Sequence, residues 1–307
     1  MTKIIQDCVI ASATGYDYSQ VERWITTLQK TGYSGDIVIT GTNLTEQTVQ
    51  SIQDTGASLH LFGKKNESGD IVGDTKNPPH VERFFYIANV IEHRLKKNNY
   101  RFVISTDIRD VIFQSDPTVW LESKLRNYSL VASSEGMKYE NEPWGNQNLY
   151  QSFGPYFHNT MKLNMIQNVG VLAGRAREMH SLMTLIYQLS LGRPIPIVDQ
   201  AVYNFLLTVY LFNIETYFAT NEDNWAIQLG TTEMAVASGH GDLGQKYKED
   251  MQSYHMLYED VQPRIGDDNI VRNSSNVPYC IVHQWDRIPQ LKNAFEMENT
   301  DATGNGS

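Results

Sequence analysis

Residues 101–117 read RFVISTDIRDVIFQSDP. An apolar run leads straight into Asp107, Arg109 and Asp110; a short apolar run, Val111 to Phe113, follows, and Asp116-Pro117 closes the stretch. Carboxylates on a short turn are hard oxygen ligands. They suit Mg²⁺ or Mn²⁺, ions that keep coordination positions open for substrate phosphates. Held against a diphosphate, such an ion neutralises it and makes it a better leaving group. An isolated Asp pair at a strand end is ordinarily a turn cap, with the arginine paired to a neighbour. Three features together favour the chemical role here: the strand-end position, the long apolar lead-in, and the second apolar run that buries the chain again.

The elements around this turn must place it. CVIASAT (8–14), DIVITGT (36–42), SLHLF (58–62), RFVIST (101–106) and SLVASS (129–134) read as strands. Between them QVERWITTLQKTG (20–32) and TEQTVQSIQDTG (45–56) read as helices with glycine stops, the second opened by a Thr-Glu cap-like pair. HVERFFYIANVIEHRL (80–95) carries Phe84, Ile87, Ala88, Ile91 and Leu95 at helical spacing. Residues 63–79 are rich in Gly, Asn and Pro and read as a loop. Strand–helix alternation of this kind predicts an α/β fold, a mostly parallel sheet flanked by helices on both faces. Ligands of such sheets sit at the carboxyl ends of the strands, where Asp107 and Asp110 fall.

The second half is less regular. Residues 138–160 are aromatic and amide-rich with two prolines, and read as an ordered surface loop; NVGVLAG (168–174) and YCIVHQW (279–285) read as strands, REMHSLMTLIYQLSLG (177–192) and the run from Asp199 as helices. The polar tail 296–307 reads as disordered. No repeat or linker is visible. The expectation is therefore a single domain over 1–295, with a regular half of about 1–135 and a more variable half of about 136–295.

The 307 residues carry a formal charge of -10 and no Lys/Arg-rich run, which argues against nucleic acid as the partner. No apolar run is long enough for a membrane span, so the chain as given is expected to be soluble and cytoplasmic, or a lumenal, Golgi-type fragment. Cys8 and Cys280 are the only cysteines and are expected to be buried thiols. Sequons at Asn43, Asn66, Asn127 and Asn273 matter only in a secretory compartment.

With these residues in view, the chain resembles the GT-A glycosyltransferases, which use nucleotide-sugar donors. The closest resemblance is to the branch carrying Asp-x-Arg-Asp-Val-x-Phe-Gln-x-Asp-Pro, matched from Asp107 to Pro117. Arg109 stands where the plain Asp-x-Asp motif has its second Asp. The resemblance implies a metal site of Asp107 and Asp110 with His283 of IVHQWDR assisting, and Mn²⁺ or Mg²⁺ as the ion. It places the donor nucleotide, UDP- or GDP-linked, against the end of the first strand (Ala11, Ser12, Thr14, Tyr16) with Thr106, Asp107, Arg109 and Arg83. Asn168 and Gly170 of the Asn-x-Gly pattern, with Asp199 and Gln200 of VDQAVYN, would face the donor sugar. Taken singly each has a plainer reading: a small-residue bulge for Asn-x-Gly, an N-cap for Asp199, a core histidine for His283, a solvated helix-end arginine for Arg83.

The function these expectations describe is transfer of a sugar to a glycan acceptor. Asp199 or Glu135 would be the carboxylate base of an inverting enzyme, and the Asn-x-Gly and Asp-Gln pattern leans towards retention. Trp144, with Tyr150 and Tyr156, would stack on the acceptor. Two other readings share the architecture. A sugar-phosphate nucleotidyltransferase would want a basic Gly-rich loop after the first strand, and ASATGYDYSQ has no Lys or Arg. An inactive carbohydrate-binding module would fit the Arg109 departure. GHGDLG (239–244) matches a dinucleotide fingerprint in spelling but follows no strand, and reads as a loop over the donor.

Overall fold

The computed structural model describes residues 5–97, 99–209, 214–238 and 260–304; the GHGDLG stretch lies outside them. Strands β1 (Ile5–Thr14), β2 (Asp36–Thr42) and β3 (Ser58–Leu61) alternate with helices α1 (Glu22–Lys30) and α2 (Glu46–Asp54). The Gly- and Pro-rich stretch expected as a loop contains a small hairpin, β4 (Lys64–Lys65) with β5 (Ile71–Val72). Then come α3 (Pro79–Lys97), β6 (Asn99–Thr106), β7 (Val111–Phe113), α4 (Pro117–Lys124), β8 (Leu130–Lys138), α5 (Pro143–Met161), β9 (Met165–Arg175), α6 (Ala176–Ser190) and α7 (Asp199–Thr208). The chain continues through β10 (Thr216–Ala219), β11 (Ala226–Gln228), α8 (Glu233–Ser238), β12 (Arg264–Ile265), β13 (Val271–Arg272), β14 (Ile281–His283) and α9 (Pro289–Gly304).

The main sheet has seven strands in the order β10-β8-β9-β6-β1-β2-β3. Six run the same way; β9 is antiparallel to both neighbours. This is the mostly parallel α/β sheet expected. Alternation along the strands sorts the two faces. Val9, Ala11, Ile39, Ile104 and Val171 pack beneath Trp24, Ile25 and Leu28 of α1. Cys8, Ile10, Val38, Val103 and Leu172 pack against Phe84, Ile87 and Ile91 of α3 and Met179, Leu182 and Met183 of α6. Each large aliphatic or aromatic side chain so buried contributes ~1.5–3 kcal/mol. A one-residue slip would turn every one of them to the wrong face, so the burial pattern fixes the register. Cys8 and Cys280 are free thiols within this core, as expected.

Two stretches depart from the sequence reading. Most of residues 138–160, expected as a surface loop, form helix α5 (Pro143–Met161). Glu142 accepts the backbone N–H groups of Trp144 and Gly145, Pro143 takes the first helical position where no N–H is needed, and Gly154, at φ 74°, kinks the helix before Pro155. The prolines mark a start and a bend, not a loop. The inner face is apolar: Leu149, Met161 and Phe153 pack on Tyr139, Ile166 and Phe205, with the Phe153 and Phe205 rings stacked at 4.3 Å. The tail expected as disordered from residue 296 is helical as far as Gly304, as part of α9.

A second, three-stranded sheet orders β11-β14-β7. It draws β7 from just behind the acidic turn and β14 from some 170 residues later, and seals over Ile227, Leu229, Tyr279 and Val282. The antiparallel register sets His283 opposite Val111. No described helix is long and apolar enough to cross a membrane.

Candidate active site

Asp107 and Asp110 leave the sheet immediately after β6, at its carboxyl edge. The Asp107 N–H donates to Gly170 O at 2.8 Å, which ties the turn to β9. Because β9 runs antiparallel, its opening residues Asn168 to Gly170 lie at the same edge as the ends of β6 and β8. The turn is shaped from within as well. Trp24 Nε1 donates to the Thr106 hydroxyl, which itself donates to Asp107 O at 2.7 Å. Thr106, expected at the donor, spends its hydroxyl on the turn.

The pairing of β7 with β14 delivers His283 to Asp110. Gln284, in a left-handed conformation at φ 60°, turns the chain away and donates its N–H to Asp110 O at 2.7 Å. His283 Nε2 then lies 3.3 Å from Asp107 Oδ2 and 3.7 Å from Asp110 Oδ1. One ligand atom from each of the three side chains falls within 4.8 Å of the others. Two carboxylates and an imidazole form a mixed oxygen and nitrogen set, better suited to Mn²⁺ than to the strictly oxygen-seeking Mg²⁺. Asp110 is buried, and burial pushes its carboxyl above the usual range, with Asp107 and Asp286 adding to the effect. Burial would also raise Asp107, but Arg83 and His283 outweigh it and hold that carboxyl well below the usual range. Burial lowers His283, and the two aspartates more than reverse it. Such a cluster concentrates negative charge around one point, and a divalent cation there would relieve it.

Arg83, in the first turns of α3, makes a two-sided ion pair. One guanidinium nitrogen meets Asp107 Oδ1 and the other meets Asp199 Oδ2 at 2.8 Å. Asp199 opens α7 and is 2% exposed. A third group joins β8, β9 and α7. Asn168 Nδ2 donates to Glu135 Oε1 at 2.7 Å and to Gln200 Oε1 at 3.4 Å, while Asn168 Oδ1 accepts the Gly170 N–H at 2.7 Å. Burial pushes the Glu135 carboxyl up, opposed by its hydrogen bonds to Asn168 and Gln200.

Gly170 explains its own side chain. A Cβ there would collide with His283 Cε1 and come within 2.9 Å of both His283 Nε2 and Asn168 Oδ1. Gly170→Ala is therefore expected to cost about 1–3 kcal/mol of stability, the range for overpacking a filled interior. Urea unfolding checks this; a variant as stable as the parent would show that the imidazole has room to move.

Of the residues expected from sequence, the structure brings Arg83, Asp107, Asp110, Glu135, Asn168, Gly170, Asp199, Gln200 and His283 together in contiguous contact. Tyr16 is half-buried within electrostatic reach of Asp107, Arg109 and Asp110. Arg109 stands at the rim, 44% exposed, 3.8 Å from Asp286 and 4.0 Å from Asp110. Ser12 and Thr14 are half-buried at the end of β1, but Ala11 is fully buried in the core beneath α1, so its side chain faces apolar packing and not the crevice. Trp144 is exposed on α5.

Sequence reasoning missed three supporting residues. Asn204 clamps β9 next to Asn168, bonding both the N–H and the C=O of Gln167 at 2.8 and 2.7 Å; its i+4 spacing from Gln200 was the available signal. Gln228 Oε1 lies 2.6 Å from His283 Nδ1, and Thr231 donates to Glu135 O at 3.0 Å. Neither carries a local signal, because each acts across a long-range strand pairing.

No protein-family model matches the chain, and no curated protein sequence does. Solved structures of similar fold exist. An active-site mutant of LgtC superposes with a TM-score of 0.53 at 12% identity, over 95% of each chain. The galactosyltransferase LgtC in complex with donor and acceptor sugar analogs is aligned over 90% of this chain and 86% of its own, at 12% identity and a TM-score of 0.49. The WbbM bifunctional glycosyltransferase in its apo form gives 0.50 at 12% identity over 97% of this chain; this chain spans about half, 51%, of WbbM. The fold is of the GT-A type. The α/β sheet and its helices match those of known glycosyltransferases, and the cluster at Asp107 lies at the carboxyl edge of that sheet.

Proposed function

We propose that this chain is a glycosyltransferase that moves a sugar from a nucleoside-diphosphate donor to a glycan acceptor, assisted by a divalent cation. One observation carries the reading: Asp107, Asp110 and His283, from segments some 170 residues apart, converge at the ligand edge of a GT-A sheet. WbbM, which shares the fold, is described as a bifunctional glycosyltransferase.

In this reading Asp107, Asp110 and His283 hold Mn²⁺ or Mg²⁺, which when bound supplies positive charge to a departing diphosphate. The nucleotide lies along the end of β1, by Ser12, Thr14 and Tyr16, with Arg109 at the rim. Arg83 holds Asp107 ionised and, by pairing with both, keeps Asp107 and Asp199 in register. Asn168, Gln200 and Asp199 orient the donor sugar. Bond breaking at the anomeric carbon builds oxocarbenium character, which a buried carboxylate close to the sugar would stabilise. Both carboxylates once considered as bases are engaged, Asp199 by Arg83 and Glu135 by Asn168. That favours retention of configuration. Trp144, Tyr150 and Tyr156 on α5 offer exposed rings for a glycan acceptor. We treat residues 1–295 as one catalytic unit.

Thermal unfolding against UDP, GDP, CDP and dTDP, each with Mn²⁺ and with EDTA, tests the proposal. A ligand at a hundred times its Kd stabilises the native state by about 2.7 kcal/mol. One nucleoside diphosphate is expected to raise Tm in Mn²⁺ and to lose most of that effect in EDTA. No shift with any of the four would sink the donor site and leave a glycan-binding module as the better account.

A further inference from the structure

We propose that Gln228 is the positioning residue that sets the His283 imidazole for cation binding, by accepting the Nδ1 proton and so leaving Nε2 as the free donor. The inference rests on reading Asp107, Asp110 and His283 as a cation site.

An imidazole binds a metal through an unprotonated nitrogen, and which nitrogen is free depends on the bond the other one makes. Here Nε2 faces both aspartates, while Nδ1 lies 2.6 Å from Gln228 Oε1. With the amide oxygen turned to the ring, as it is placed here, Gln228 can only accept, and the proposal puts the proton on Nδ1. The neutral ring then presents its lone pair from Nε2 towards the point between Asp107 and Asp110.

The backbone makes this contact repeatable. Parallel pairing of β11 with β14 sets Gln228 directly beside His283, and β7 on the other flank sets Val111 beside it. Three adjacent strands thus hold Gln228, His283 and the end of the acidic turn in one row. Gly170 closes the remaining side of the ring.

Gln228 is 1% exposed, and its amide nitrogen is buried without a hydrogen-bond partner among the described residues. Burying that unmet donor costs free energy which leucine or methionine, similar in size, would avoid. Among the described residues its side chain makes one hydrogen-bond contact, with the imidazole. A residue kept only for packing would not need the amide.

Mn²⁺ binding to the full chain, followed by the EPR signal of free Mn²⁺, provides the test. Gln228→Leu is expected to weaken binding by about ten- to a hundredfold, the usual effect of removing the partner of a ligating histidine. Gln228→Glu keeps an acceptor oxygen and is expected to restore affinity close to that of the parent. Both variants should still unfold cooperatively in EDTA, so that Mn²⁺ affinity is read on folded protein. Gln228→Leu binding Mn²⁺ as the parent does would overturn the proposal while leaving the cation site intact. A parent chain that binds no Mn²⁺ would instead remove the reading on which the proposal stands. Nitrogen-15 spectra of histidine-labelled parent in EDTA, at a pH where the ring is neutral, need no variant. They should show the His283 proton on Nδ1; a proton on Nε2 would overturn the assignment even if Gln228→Leu failed to fold.

Discussion

Arg83→Met is expected to lower stability at pH 7 by about 3 kcal/mol, the lower end of the range for stripping one partner from a buried ion pair. Arg83 serves two carboxylates, and Asp199, at 3% side-chain exposure, has no other charged partner among the described residues. Methionine fills similar space but leaves that carboxylate buried beside an apolar chain. The pH dependence follows from Asp107. Its folded pKa lies below the ordinary value of 3.8, so its contribution is present above that value and is lost as pH falls. Without Arg83 much of that contribution disappears. The gap between parent and variant is therefore widest near neutral pH and narrows below about pH 4. Urea unfolding in EDTA at pH 7 and at about pH 2, well below the ordinary carboxylate value, measures both arms. A gap that stays constant with pH would show that packing, and not charge pairing, is what Arg83 contributes.

Asp107→Asn should have the largest functional effect with a small structural one. The amide oxygen can still accept from Arg83, and Arg83 keeps Asp199, so the fold should survive with Tm within a few degrees of the parent. The cation loses the carboxylate that is ionised most firmly. A bound metal supplies several kcal/mol of transition-state stabilisation, so turnover of the donor should fall by roughly a thousandfold. The Mn²⁺-dependent nucleotide shift in Tm should vanish with it. Retention of that shift in Asp107→Asn would remove the acidic turn from the donor site.

The sheet and its first helices were legible because their signals are local. β1, β2, β3, β6 and β8 appear as apolar runs, and α1, α2 and α3 as helical periodicity with glycine or threonine at the ends. Residues 143–161 were misread because prolines are usually loop markers, and the side-chain cap by Glu142 makes Pro143 a helix start instead. The antiparallel direction of β9 has no signature in NVGVLAG, since a strand buried on both faces looks the same either way along. Yet that direction places Asn168 and Gly170 against Asp107.

By itself the sequence determined an α/β sheet, an acidic turn at the end of one strand, and a set of carboxylate, amide and imidazole side chains available to it. The tertiary structure decided which of them meet. His283 reaches Asp110 because Val111–Phe113 pairs with Ile281–His283, and Gln228 reaches His283 because the next strand pairs alongside. It also decided that Arg83 bridges two carboxylates and that Ala11 belongs to the core. The physical reason is range. Periodicity and turn chemistry act over a few residues, whereas strand partners far apart in the chain are chosen by burying both apolar faces at once.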